Sequence, residues 1–173
     1  YMEVATRDEN LHVGVGSHLE GTCRDRDVLG NRVFHAFGEQ GVEFCDFRAD
    51  EGDSVVLTKY VAMFDGRDTP ADELHATTCR EVEDFVAEGF EREFEVHADI
   101  YRKMWGQANI DIEGDPELDR AIRLNVFHLM STANEHDDRV NVGAKLLTGE
   151  EYGGHAFWDT ELFMLPFFAY VFP

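Results

Sequence analysis

"GRDTPADEL", residues 66–74, is the stretch on which the reading of the fold turns. Turn formers come first, then Pro70, then acids that suit the start of a helix. Upstream of it apolar residues recur with a period of two; downstream they recur every three or four residues. On the upstream side, Val33-Phe34-His35-Ala36-Phe37 and Val42-Glu43-Phe44-Cys45-Asp46-Phe47 form two alternating runs. Gly38 to Gly41 between them predict a hairpin loop. "DSVVLTKYVAMFDG" (residues 53–66) predicts a further strand, closed by the turn residues Asp65-Gly66. "NLHVGVGSHLEGT" (residues 10–22) alternates weakly and reads as a strand pair. Several short strands with turn signals between them point to a sandwich.

On the downstream side, Val82, Phe85, Val86, Gly89, Phe90, Phe94, His97 and Tyr101 recur at helical spacing. They predict one amphipathic helix from Ala71 to about Trp105-Gly106. "ANIDIEGD" (residues 108–115) is an extended connector. Asp115 then suits an N-cap and Pro116 a first helical residue. The helix from Pro116 to about Ala133 sets Leu118, Ile122, Val126, Leu129 and Met130 on one face. Residues 134–154 read as a long loop, and a last helix starts near Trp158 or Asp159. Strands followed by helices, rather than alternating with them, make an α+β chain of more than one domain.

The 173 residues hold 43% hydrophobic and 12% aromatic side chains, enough for a packed core. The formal charge is −21, from 36 acids against 15 bases. That balance argues against nucleic acid or an anionic membrane as a partner, since both select a positive surface. Twelve of the bases are Arg; Lys59, Lys103 and Lys145 are the three lysines. Self-repulsion of this size is screened over about 10 Å at roughly 0.1 M salt, so adaptation to a salty cytosol is the expectation. Cys23, Cys45 and Cys79 lie far apart, which suggests neither a disulfide framework nor a zinc site. A reducing, cytoplasmic compartment follows. The start, "YMEVATRDEN", has no signal-peptide pattern. The apolar end, "LFMLPFFAYVFP", is too short to span a bilayer and contains Pro166. The opening on Tyr1 and the apolar end suggest an interior piece of a longer protein.

General motifs contribute little. "GVGSHLEG" has Gly14, Gly16 and Gly21, but its last gap departs from the dinucleotide pattern, and strand or turn glycines are the better reading. His128 reads as a core or boundary histidine. Ser17 and Ser131 lack the context of a nucleophile elbow. "EVEDFVAEGFEREFE" (residues 81–95) reads as a solvated acidic face. Trp158-Asp159 is more informative. An indole can stack on the C–H face of a pyranose while a carboxylate accepts its hydroxyls. Gly153 and Gly154 would let backbone approach closely there. Trp158 as a core anchor with Asp159 as an N-cap explains the same residues.

Two longer pieces narrow the choice. "MWGQANIDIEGDPELDRAIRLNVFHLMSTA" (residues 104–133) and "NVGAKLLTGEEYGGHAFWDTELFMLPFF" (residues 141–168) resemble the start of the catalytic domain of glycoside hydrolase family 65. The resemblance implies the end of an N-terminal β-sandwich over residues 1–70, a helical linker over 71–113, and the first helices of an (α/α)6 barrel over 114–173. It implies an inverting phosphorylase of maltose, trehalose or kojibiose, with a hydrolase of the same family as the alternative; apart from the resemblance, a non-catalytic sugar-binding or structural module is the reading if the chain is complete. Inorganic phosphate would be co-substrate to the disaccharide, with no metal or organic cofactor, and a homodimer would be the assembly. Trp158 and Asp159 match the family's pocket for the non-reducing glucose, and His155 would lie near it. Glu161 would brace the loop; a self-contained acid pair of Asp159 and Glu161 is the rival. The family's general acid, a Glu in a "GPDEYH"-like motif, has no counterpart here, nor has its phosphate loop. No catalytic residue is therefore expected in this chain, which alone should be inactive.

Overall fold

The computed structural model describes all residues except 25, 39, 135 and 146–150. The chain divides into two compact units, Tyr1–Glu95 and Val96–Pro173.

In the first unit, strands β1 (Met2–Ala5), β2 (His12–Cys23), β3 (Arg26–Asp27) and β6 (Val55–Asp65) form an antiparallel sheet. β2 is its spine: it pairs β1 from Met2↔Val15 to Ala5↔His12, and β6 from Val13↔Asp65 to Cys23↔Val55. Strands β4 (Arg32–Phe37) and β5 (Gln40–Cys45) form a separate two-stranded sheet. Helix α1 (Ala71–Glu88) lies on β2 and β6. Leu74, Thr78 and Val82, spaced by four, are its buried stripe. Leu74 is fully buried, and its burial contributes about 2 kcal/mol. Thr78 satisfies its buried hydroxyl by donating to the Leu74 carbonyl at 2.7 Å.

The residues between 10 and 22 make one long strand, not the predicted strand pair. Glycines interrupt the alternation, yet they sit where other elements press closest. A Cβ on Gly14 would lie 3.0 Å from Leu74 Cγ, and one on Gly16 would lie 3.0 Å from Thr78 Cγ2. Gly14 and Gly16 are thus the seat of α1 on the sheet. The hairpin at 33–47 forms as predicted, with a tighter turn: Phe37 pairs with Gln40, and Gly38 has φ +55°.

The single long helix of the sequence reading is two. Gly89, at φ 81° and ψ 159°, ends α1, and α2 (Phe90–Ala108) begins beside it. The Gly89 N–H still closes α1 by donating to the Phe85 carbonyl at 2.9 Å. Glu83, Asp84, Glu88, Glu91 and Glu95 are exposed, the solvated acidic face that was expected.

The second unit holds the rest of α2, then α3 (Pro116–Met130) and α4 (Leu165–Val171). Ala108, Val126 and Met130 form its core, with Met104, Trp105, Ile122, Phe167, Val171 and Phe172 against them. Leu118, predicted on the apolar face of α3, is exposed at the first turn, and α3 stops at Met130, short of Ala133. Asp115 caps α3 as predicted: its Oδ1 accepts from Glu117 N at 3.1 Å and Leu118 N at 3.0 Å. His128 is exposed in the last turn of α3, so it is a boundary histidine and not a core one. Ser131 caps the same end by donating to the Phe127 carbonyl at 2.8 Å. Among the described residues no helix is long and apolar enough to cross a membrane.

Candidate functional site

The connector before α3 is tied down by charge. Arg123 donates to Asp119 Oδ2 at 2.9 Å, to Asn109 Oδ1 at 3.0 Å, and to Asp111. Asp119 Oδ1 accepts the Ile112 N–H at 3.0 Å. That backbone bond first, and the Arg123 guanidinium second, hold the Asp119 carboxyl below its ordinary range. The pattern A-I-R-x-N in the sequence therefore carries an anchoring arginine, a role not read there.

After the long loop the chain turns sharply. Tyr152 and Gly153 both have positive φ, 63° and 56°. The left-handed conformation suits Gly153 and strains Tyr152. The Tyr152 carbonyl accepts the His155 N–H at 3.0 Å, and the Tyr152 ring meets Phe157 edge-on at 5.6 Å. The His155 ring lies over Gly153, where an added Cβ would come within 3.6 Å of it.

The last helix starts near Asp159, as predicted, but not as an α-helix. Thr160–Met164 make a π turn, in which the Leu165 N–H donates to the Thr160 carbonyl five residues back. Pro166 follows at once. A proline inside a helix has no N–H to give and crowds the carbonyl four residues earlier, here that of Leu162. A widened turn relieves that crowding.

Asp159, Thr160, Phe163 and Met164 line an open cavity of about 270 Å³ together with Val142, Gly143, Ala144 and Phe157. Asp159 has helical dihedrals and no capping hydrogen bond. Among the described residues its carboxylate has no partner. Trp158 is 68% exposed and leans on Phe163, ring centroids 6.4 Å apart. The alternative of a core tryptophan beside a capping aspartate is not what the structure shows. Of the three residues singled out in the sequence, Asp159 lines the cavity; Trp158 and His155 are not among its lining residues. Glu161 is exposed, and its carboxylate accepts no hydrogen bond among the described residues. Two positions on from Asp159, it points about 160° away around the helix, so the two carboxylates do not face one pocket.

Phe157 and Phe163 were legible as partners of Asp159 only with the helix phase known; Val142–Ala144 carried no signal. Residues 146–150, which hold the Leu-Thr-Gly-Glu part of the motif, lie outside the described residues. Among the described residues no group of three or more His, Cys, Asp or Glu is placed to hold a metal. Cys23, Cys45 and Cys79 are free thiols. Chemically, the cavity offers one hydroxyl-accepting carboxylate, one threonine hydroxyl and an aromatic wall. It is slightly smaller than the roughly 300–1,000 Å³ usual for drug-sized ligands.

Comparison with known proteins identifies the family. Residues 1–104 match the glycosyl hydrolase family 65 N-terminal domain, and residues 123–173 match the family's central catalytic domain. The kojibiose phosphorylase of Caldanaerobacter subterraneus subsp. tengcongensis is 45% identical over 178 aligned residues, covering 100% of this chain and 23% of that protein. The maltose phosphorylase of Bacillus subtilis is 40% identical over 112 residues, 65% of this chain and 15% of that protein. A solved structure from the human microbiome, described as a candidate kojibiose phosphorylase, superposes with TM-score 0.80 at 20% identity, over 98% of this chain and 22% of that one. The chain spans about a quarter of the length of the curated relatives it matches. Motif, fold and whole-chain identity converge: the chain belongs to glycosyl hydrolase family 65.

Proposed function

We propose that these residues are part of an inverting disaccharide phosphorylase. The parent protein splits an α-glucosidic disaccharide with inorganic phosphate into β-glucose 1-phosphate and glucose. The observation that carries the site is the Asp159 carboxylate, without a partner among the described residues, at a cavity lined by Phe157 and Phe163. In this reading Asp159 accepts sugar hydroxyls, Trp158 stacks on the ring, and His155 stands beside them. Inversion needs an acid to protonate the leaving oxygen and a nucleophile opposed to it. Phosphate takes the second role, so the donors that hold it and the acid belong to other parts of the parent, and no organic cofactor or metal enters. Residues 1–70 then end the N-terminal β-sandwich, 71–113 link it, and 114–173 begin the (α/α)6 barrel. Kojibiose is the first substrate to try, because a kojibiose phosphorylase is the relative that aligns over the full chain at 45% identity. The free thiols suit a reducing cytoplasm, and we extend the reading to a homodimer.

The test is glucose release by the intact parent from kojibiose, maltose and trehalose, with and without phosphate. Release that requires phosphate, with glucose 1-phosphate as co-product, is expected. Release that ignores phosphate replaces this reading with a hydrolase, and no release from any of the three replaces it with a binding module. The 173-residue chain by itself is expected to release nothing.

A further inference from the structure

The π turn at Thr160–Met164 sits between two parts of the last helix that do different work. Downstream, Phe167 and Val171 of α4, with Phe172 just after it, pack against the cluster of Ala108, Val126 and Met130, which fixes the rotation of α4 about its axis. Upstream, Trp158 and Asp159 hold the chemistry. An α-helix turns about 100° per residue, and a turn closed by a bond to the fifth residue back holds one residue more than an α turn. Side chains before the π turn are thus out of phase with α4 by about one residue. The contact between Trp158 and Phe163 carries the mark of this: five apart in an unbroken α-helix, the two would point about 140° from each other.

Pro166 is the residue that makes the unbroken α-helix unfavourable, and among the described residues it is exposed. We infer that Pro166 is a positioning residue for the sugar site. By excluding the α register it holds the π turn, which aims Asp159 into the cavity and sets Phe163 behind Trp158. The inference rests on the sugar-site reading above.

The test is Pro166→Ala in the intact parent enzyme, beside Trp158→Ala and Asp159→Asn. Alanine is the best helix former and proline the worst, so the melting temperature is expected to hold or rise. KM for the disaccharide is expected to rise about tenfold, the scale of one misdirected hydrogen bond to a charged group. Stability and affinity moving in opposite directions is a signature that a merely structural proline would not produce. Unchanged KM and kcat in Pro166→Ala, with KM raised in the two controls, overturns this inference and leaves the site reading standing. A melting temperature that falls in step with the loss of affinity also overturns it. Controls that leave KM untouched overturn the site reading, and this inference with it.

Discussion

Asp159 is the residue on which the proposed chemistry concentrates. It sits in helical backbone, caps nothing, and turns toward a cavity. A carboxylate left without protein partners keeps its lone pairs for a ligand, and hydrogen bonds to a charged group contribute about 1.5–3 kcal/mol each. Asp159→Asn in the intact parent is therefore expected to lower kcat/KM for the disaccharide by roughly 10- to 100-fold. Its melting temperature should stay close to that of the unaltered protein, because among the described residues the carboxylate makes no hydrogen bond to lose. A steady-state assay beside a thermal melt checks both halves. Trp158 belongs to the same scale: at 68% exposure its ring is available for stacking, with Phe163 behind it.

At the scale of elements, two junctions hold the architecture. Gly89 joins α1 to α2 at φ 81°, a conformation that L side chains rarely adopt. Nothing lies within 4 Å of the position a Cβ would take, so Gly89→Ala meets backbone strain without a clash. A loss of about 1–3 kcal/mol is expected, read as a lower midpoint in urea with an unchanged slope. The second junction is Asp119, which ties Ile112 of the connector to α3 and pairs with Arg123 one turn further along that helix. Its carboxyl is held below its ordinary range in the folded protein. The sign follows: the folded state keeps the charge more tightly than the unfolded chain does. The stabilisation is full above the unfolded value of about 3.9 and is lost as pH falls through the lower folded value. Melting curves between about pH 5 and pH 2 should therefore fall less steeply for Asp119→Asn than for the unaltered protein.

At the scale of the whole molecule, the net charge of −21 dominates. The described ion pairs engage Arg24, Arg32, Arg67, Arg102, Arg123 and Arg139, and many acids on α1 and α2 remain in solvent. Like charges at a surface repel over the Debye length, about 10 Å at 0.1 M and about 3 Å at 1 M salt. We extend the functional reading with a salt-adapted parent, whose melting temperature should rise between low and multimolar KCl. Equal melting at both ends of that range would remove the idea.

The sequence by itself determined where the chain changes from strand to helix and how α3 begins. It also placed the Trp-Asp pair beside the last helix. Those features are local: Asp115-Pro116 caps α3 with its own backbone, and an alternating run such as Val33–Phe37 needs only its hairpin partner. The family, too, was legible, because its motifs are contiguous. Tertiary structure alone decided the rest. Gly14 and Gly16 looked like breaks in a strand until α1 was laid on them, since the absence of a side chain has meaning only against a neighbour. Gly89 was hidden inside a continuous apolar period, because periodicity records which residues are apolar and not the dihedral that resets their phase. Part of the cavity's lining came from Val142–Ala144, far along the loop, and part from a π turn that no residue spacing announces. A cavity is a relation between distant segments, and only the packed chain brings them to one place.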